Sequence, residues 1–277
     1  MLVDKPAGIT SHDVVATVRR RFRIKAVGHT GTLDPFATGL LVMVLGGATR
    51  LARFVEAERK TYLASARLGV ATATDDLTGE PLGGPWSGAW PDAGRVQVAL
   101  AALEEQGTQR PPAFSAKSVD GVRSYARARR GEAVVLEPVP VVIERLALLT
   151  FEPPVVTFRA TVGPGTYIRA IARDLGERLG TGAHLASLRR EAVGRFEVAA
   201  AVPLDQLTGN EVLVPPADLL PFGRVEVTVD EVVRLRRGQR VGSAAVGRAA
   251  LVHAGGLIAV GEEQDGQWQP VVVLAAP

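Results

Sequence analysis

The 277-residue chain contains no cysteine, which removes disulfides and thiolate metal sites at the outset. It also lacks any uninterrupted apolar stretch approaching the roughly 20 residues needed to cross a bilayer, so no membrane association is expected. Met1 to Ser11 carries Asp4, Lys5 and Pro6 and has no apolar h-region, so no secretory signal is expected there. There is no P-loop, no GxGxxG opening a helix and no GxSxG elbow, hence no cradle for a nucleotide cofactor and no hydrolase nucleophile. His12, His29, His184 and His253 are scattered at no ligand spacing. Asp75 and Asp76 are adjacent, and neighbouring side chains point apart in regular structure, so they make a poor metal pair. These absences predict a chain without metal or cofactor and with a cytoplasmic address.

What is present is apolar and basic. Apolar residues make up 47% of the chain, enough for a substantial core, and the length suits one large domain, or a domain of about 200 residues with a small one attached. The net charge is only +3, but the cations are clustered. Arg19, Arg20, Arg21, Arg23 and Lys25 form one group, and Arg234, Arg236, Arg237 and Arg240 another. Between Arg110 and Gly131 six cations face the single acid Asp120. Any one such run is equally a solvated helix face; three together point to a polyanion, because phosphate contacts supply most nucleic-acid affinity.

Periodicity gives a coarse map. Val14, Val18 and Phe22 recur on one face of a helix over 12–23, capped by Thr10 or Ser11. Residues 40–45 form a buried strand or helix, and 60–69 alternate as a strand. The Thr-, Gly- and Pro-rich stretch 71–91 is loop, followed by a helix over 94–105. The basic segment 108–131 has no period and is expected to be a mobile loop or insertion. Strands are expected over 139–150 and 155–162, then a helix carrying Ile168, Ile171, Leu175 and Leu179 that stops at Gly180. Beyond Pro215, Pro216 and Pro221 the texture changes to short β-type segments at 225–229, 249–253, 257–261 and 271–274. That pattern predicts a small β-rich domain over 220–277.

The loop GHTGTLDP (28–35) is the one stretch whose composition points to chemistry. Two glycines permit a tight backbone, Thr30 and Thr32 bond locally, and Pro35 fixes the exit. Such a loop holds a single carboxylate, Asp34, in a set position. Spacing alone favours the alternative, that Asp34 only opens the turn before Pro35.

Six blocks carry a resemblance. DKPAGITSHDVV (4–15), GHTGTLDPFATGLL (28–41), KTYLASARLG (60–69), RPPAFSAKSVDGVRSYARARRG (110–131), GTYIRAIARDLGERLG (165–180) and HLASLRR (184–190) follow in order. They span nearly all of the first 195 residues and resemble pseudouridine synthases of the TruB family. The resemblance implies an α+β catalytic domain over 1–215, built on a mixed, largely antiparallel sheet flanked by helices and loops. It implies a small PUA-like RNA-binding domain over 220–277. The implied reaction isomerises uridine to pseudouridine at position 55, in the TΨC loop of tRNA, through base flipping.

The same resemblance assigns residues. Asp34 is the catalytic aspartate, Tyr62 stacks on the target base near the reacting sugar, and Arg169 pairs with the aspartate. Leu188 lines the pocket, His29 engages the RNA loop, and Lys5 and Pro6 support the site. Arg123, Arg127, Arg129 and Arg130 in the 108–131 insertion clamp the RNA. The position of Arg169 in the first turn of its helix, where the dipole disfavours a cation, itself asks for a nearby anion. The implied partner is tRNA, with no obligate protein partner, and the chain is expected to act as a monomer. Two other readings remain at this point: a pseudouridine synthase acting on another RNA, and a catalytically silent RNA-binding or tRNA-folding protein.

Overall fold

The structure, a computed structural model, describes residues 1–114, 118–119, 122–123, 136–243 and 245–274, and of 118–119 and 122–123 the backbone only. Arg127, Arg129 and Arg130 lie outside the described residues, as does the side chain of Arg123. The principal elements begin with β1 (Leu2–Lys5), α1 (Ser11–Phe22), β2 (Val27–His29), β3 (Thr38–Leu45) and β4 (Lys60–Leu68). Next come α2 (Ala93–Glu104), β5 (Ile143–Glu152), β6 (Val155–Val162), α3 (Ile168–Leu179), β7 (Ala183–Val193) and β8 (Val202–Pro203). Last are β9 (Arg224–Glu226), α4 (Val229–Arg236), β10 (Val241–Gly242), β11 (Arg248–His253), β12 (Gly256–Gln264) and β13 (Gln267–Val273). They fall into two compact units, Met1–Pro35 with Gly39–Glu58 and Gly194–Pro277, and Phe36–Thr38 with Arg59–Val193.

In the first unit, α1 starts where its sequence predicts. Thr10 accepts from the Asp13 amide and Asp13 accepts from the Thr10 amide, a reciprocal capping box that satisfies two orphan donors. Val14, Val15 and Val18 then face Val3, Leu41 and Met43, closing a core with Met1, Val27 and Leu207. The all-apolar run before Gly46 is a strand, β3, held between β1 and β2 by antiparallel pairing, while β8 joins β1 in parallel. The C-terminal part of this unit is a five-stranded sheet ordered β9-β11-β12-β13-β10 around the buried Trp268. The segment read as extended over 225–229 divides differently. Strand β9 ends at Glu226, and a capping box of Thr228 with Glu231 starts α4, whose Val232 and Leu235 enter the same core. Phe54 meets Phe222 edge-on at 5.4 Å, and Arg50 donates to the Val273 carbonyl. The C-terminal sheet is thereby tied to the short helical stretch 46–56.

The second unit is an antiparallel sheet ordered β5-β6-β4-β7 with α3 packed on β7 and β4, and α2 on β5 and α3. Strand β4 alternates as its sequence does, burying Lys60, Tyr62, Ala64, Ala66 and Leu68. Helix α3 buries Ile168, Ile171, Leu175 and Leu179 and ends on Gly180 at φ 73°. Gly176 is required by close approach: a Cβ there would lie 2.2 Å from the Ala183 amide nitrogen. The whole is α+β with a mixed, mostly antiparallel strand arrangement. Among the described residues no helix is long and apolar enough to cross a membrane.

Candidate active site

The backbone on both sides of Asp34 is fastened. Before it, the Leu33 amide donates to Ser11 Oγ at 2.9 Å, and that hydroxyl donates to the Leu33 carbonyl at 3.2 Å. After it, the Pro35 carbonyl accepts from the Gly8 amide at 2.8 Å and from Lys5 Nζ at 3.2 Å. The loop leaves β2 through Thr30, whose amide reaches the Val42 carbonyl, and turns at Gly31 with φ 94°. A turn residue anchored on one side only would swing; Asp34 sits between two fixed neighbours and stays half-buried. Segments DKP and GHTGTLDP, far apart in sequence, are thus parts of one anchor.

Lys5 is the unusual member. Its side chain is fully buried, and its ammonium donates to the carbonyls of Pro6, Ile9 and Pro35 at 2.9, 2.8 and 3.2 Å. A buried cation is tolerated when its donors are satisfied, and here satisfying them cross-links the 6–9 turn to the Asp34 loop. Pro6 itself is exposed and takes part through its carbonyl. His29 ends β2 opposite Met43 and is half-buried. Lys5→Met should cost about 2–3 kcal/mol in urea unfolding, since three carbonyls lose a charged donor. An unchanged midpoint would show that the lysine does not hold the loop.

In the second unit, Tyr62 of β4 is 8% exposed and lies cross-strand from Arg190 of β7. Leu188, also 8% exposed, stands opposite Ala64, one buried position along β4. Arg169 is in the first turn of α3, as expected, and has a carboxylate beside it: Asp76 Oδ2 at 3.4 Å from Nη1. Its guanidinium also donates to the carbonyls of Thr74 at 3.0 Å and Phe114 at 2.9 Å. Asp76 is 4% exposed, and its Oδ1 accepts from Thr74 Oγ1, Thr78 Oγ1 and the Thr78 amide. One turn along α3, Arg173 bonds Asp75 at 2.9 Å, Asp174, and the Arg110 carbonyl at 2.8 Å. Two arginines a helical turn apart therefore hold both the 74–76 turn and the 110–114 segment against α3.

Burial pushes the Asp75 carboxyl up to about 6, against the pull of the Arg173 and Arg169 guanidinium groups. A folded-state value above the unfolded value means that the folded chain binds more protons between about pH 4 and 6. This group's contribution to stability is therefore greatest at the acid end of that window and falls as pH rises through it. Asp75→Asn should flatten that part of the profile. Urea unfolding of wild type and variant at pH 4.5, 5.5 and 7 tests this, and parallel profiles would contradict it.

Two residues escaped the sequence reading. Asp76 reads in sequence only as half of a poor metal pair, yet the flanking Thr74 and Thr78 mark a carboxylate held by its neighbours. Arg190 lies inside the HLASLRR block, where nothing in the sequence marks it from its neighbour Arg189. It is 1% exposed and shares the buried face of β7 with Leu188, two residues away.

The fold is shared with solved Cbf5 proteins. The chain aligns with one in a Cbf5-Nop10-Gar1 complex at TM-score 0.72 and 24% identity, covering 99% of this chain and 84% of that one. It aligns with another in the archaeal box H/ACA sRNP Nop10-Cbf5 complex at TM-score 0.69 and 20% identity, covering 99% and 85%. At the level of sequence, the TruB family pseudouridylate synthase N-terminal domain matches residues 19–168, and the tRNA pseudouridylate synthase B C-terminal domain matches 169–214. A relative from Parasynechococcus marenigrum (strain WH8102), named tRNA pseudouridine synthase B, is 44% identical over 285 residues, spanning 100% of this chain and 97% of its own. One of the same name from Thermobifida fusca (strain YX) is 41% identical over 287 residues, spanning 99% and 98%. The chain belongs to the TruB family of pseudouridylate synthases.

Proposed function

We propose that the chain isomerises uridine to pseudouridine in tRNA, at position 55 of the TΨC loop, with Asp34 as the catalytic carboxylate. The observation that carries this reading is the double anchoring of Asp34, between Leu33 held by Ser11 and Pro35 held by Lys5 and Gly8. Family membership supplies the reaction. The N1–C1′ bond of the uridine breaks, the base turns, and a C5–C1′ bond forms, while the C5 proton is lost to solvent and N1 gains one. Atoms and electrons balance within the nucleoside, so the chemistry asks for a positioned charge and an enclosed base.

An aspartate is ionised at neutral pH without prior deprotonation, and so meets the reacting ring or sugar already charged. Arg169 is the cation assigned to hold it so, and its pairing with Asp76 fixes the guanidinium that does this. Tyr62 takes the stacking role: extruding a base costs a few kcal/mol, and stacking on an aromatic returns about 1–3 kcal/mol. Leu188 supplies an apolar wall, and His29 meets the RNA loop. Arg123, Arg127, Arg129 and Arg130 are assigned to clamp the RNA. The C-terminal sheet, with its own core around Trp268, is read as the PUA-like RNA-binding domain. The enzyme is proposed to act on tRNA as a monomer, without an obligate protein partner.

The test is to incubate an unmodified tRNA transcript with the protein and map pseudouridine by carbodiimide adducts that arrest reverse transcription. One modified site, in the TΨC loop, is expected. Modification at a different uridine would overturn the substrate assignment while leaving the reaction.

A further inference from the structure

We infer that the C-terminal end of α1 and the turn after it form a phosphate-binding surface for the duplex stem of the same RNA. The inference rests on the tRNA reading above. Five cations, Arg19, Arg20, Arg21, Arg23 and Lys25, lie within seven residues, and all five are exposed. From Asp13 to Asp34 no acid intervenes in the sequence. Among the described residues none of the five makes an ion pair; Arg19 alone makes a hydrogen bond, from Nη2 to the Val27 carbonyl.

Helix polarity does not account for this. A helix C-terminus presents about half a negative charge, which one or two cations satisfy. Five cations leave the end strongly positive and repelling itself. The acid on the turn packed against this end is engaged within its own turn. The turn at Gly209 lies against this end of α1, where a Cβ would approach the Arg21 carbonyl to 2.6 Å, and Gly209 keeps φ at 96°. Glu211 of that turn bonds the Thr208 and Gly209 amides and the Thr208 hydroxyl instead of an arginine.

The patch is also fixed relative to the Asp34 loop within one unit. Ser11 at the start of α1 holds Leu33, and Arg19 near its end holds the carbonyl of Val27 at the start of β2. The 12 residues of α1 set the two ends about 17 Å apart at ~1.5 Å per residue. That reach is about five nucleotide steps at ~3.4 Å each along a duplex. A uridine at Asp34 thus places the paired stem beside its loop over the basic end. The arginines there present planar forks suited to bidentate phosphate contacts.

The experiment measures binding of an unmodified tRNA transcript from 50 to 300 mM KCl. It compares wild type with the combined variant Arg20→Ala, Arg21→Ala, Arg23→Ala and Lys25→Ala, leaving Arg19 in place. Each lost phosphate contact should take about 0.7–0.9 from the slope of log affinity against log salt. The expected result is a slope shallower by about 2–3 and affinity at 100 mM reduced on the order of 10- to 100-fold. The charge-preserving variant Arg20→Lys, Arg21→Lys, Arg23→Lys should keep most of the wild-type slope. Arg95→Ala with Arg145→Ala, two exposed cations of the other unit, should change it little. An alanine variant with wild-type affinity and slope would overturn the inference, as would an equal per-charge effect in the Arg95 and Arg145 control. A wild-type protein that fails to bind tRNA at all would overturn the functional reading, and the surface assignment with it.

Discussion

Asp34→Asn should lower single-turnover pseudouridine formation by on the order of 10³-fold or more, with tRNA affinity changed by no more than a few fold. Asparagine keeps the size of the side chain and its ability to open the turn before Pro35. It removes the charge and turns one acceptor oxygen into an amide donor. The anchors on either side are backbone to Ser11, Gly8 and Lys5 and do not involve the carboxylate, so the loop should keep its shape. The variant therefore separates the two readings that the sequence leaves open for Asp34. A turn-opening residue tolerates asparagine, and a catalytic carboxylate does not. Turnover within tenfold of wild type would rule out the catalytic assignment.

Arg169→Met carries the second large effect. Removing the guanidinium leaves Asp76, 4% exposed, without its ion-pair partner and strips donors from the Thr74 and Phe114 carbonyls. Breaking a buried pair from one side costs about 3–5 kcal/mol, and a drop of that size in urea unfolding is expected. Turnover should fall as well, on the order of 10²-fold, through the loss of the cation assigned to Asp34. The double variant Arg169→Met with Asp76→Asn should be less destabilised than the sum of the two single variants, by about 1–3 kcal/mol. Strict additivity would show that the pair is not coupled. Arg169→Lys is expected to recover part of the stability, because one ammonium keeps the charge but does not span Asp76 and both carbonyls.

How far the sequence could be read depended on how local the determining interaction is. Helix α1 was legible because its cap, Thr10 with Asp13, and its buried valines lie within a few residues of each other. Residues 40–45 left strand and helix open, since an all-apolar run has no period; pairing with β1 and β2 decides it. Helix α4 is hidden in sequence because Val225, Val227 and Val229 alternate as a strand up to its first residue, although Thr228 and Glu231 carry the cap signal. In β7 a bulge between Leu185 and Ser187 lets Leu185 and Leu188, three apart, both turn inward, which alternation alone does not anticipate.

The site divides along the same line. Asp34, Tyr62 and Leu188 are proposed for the site from the motif blocks that hold them. The functions of Lys5, Ser11 and Asp76 depend on partners that sequence distance hides. Ser11 Oγ and Leu33 are 22 residues apart, and Lys5 Nζ and the Pro35 carbonyl 30. The pair of Arg169 with Asp76 joins a helix N-terminus to a turn earlier in the chain. A requirement for an anion near Arg169 was readable from the helix dipole; that Asp76 supplies one was not.

The most direct test of the account follows the C5 hydrogen of a tRNA transcript made with 5-tritiated uridine. Rejoining the base through C5 expels that hydrogen, so the protein should release tritium from one uridine per tRNA, with no cofactor added, while an unlabelled transcript shows no change in nucleoside mass. Tight tRNA binding without tritium release would contradict the account and leave a protein that binds or folds RNA without modifying it.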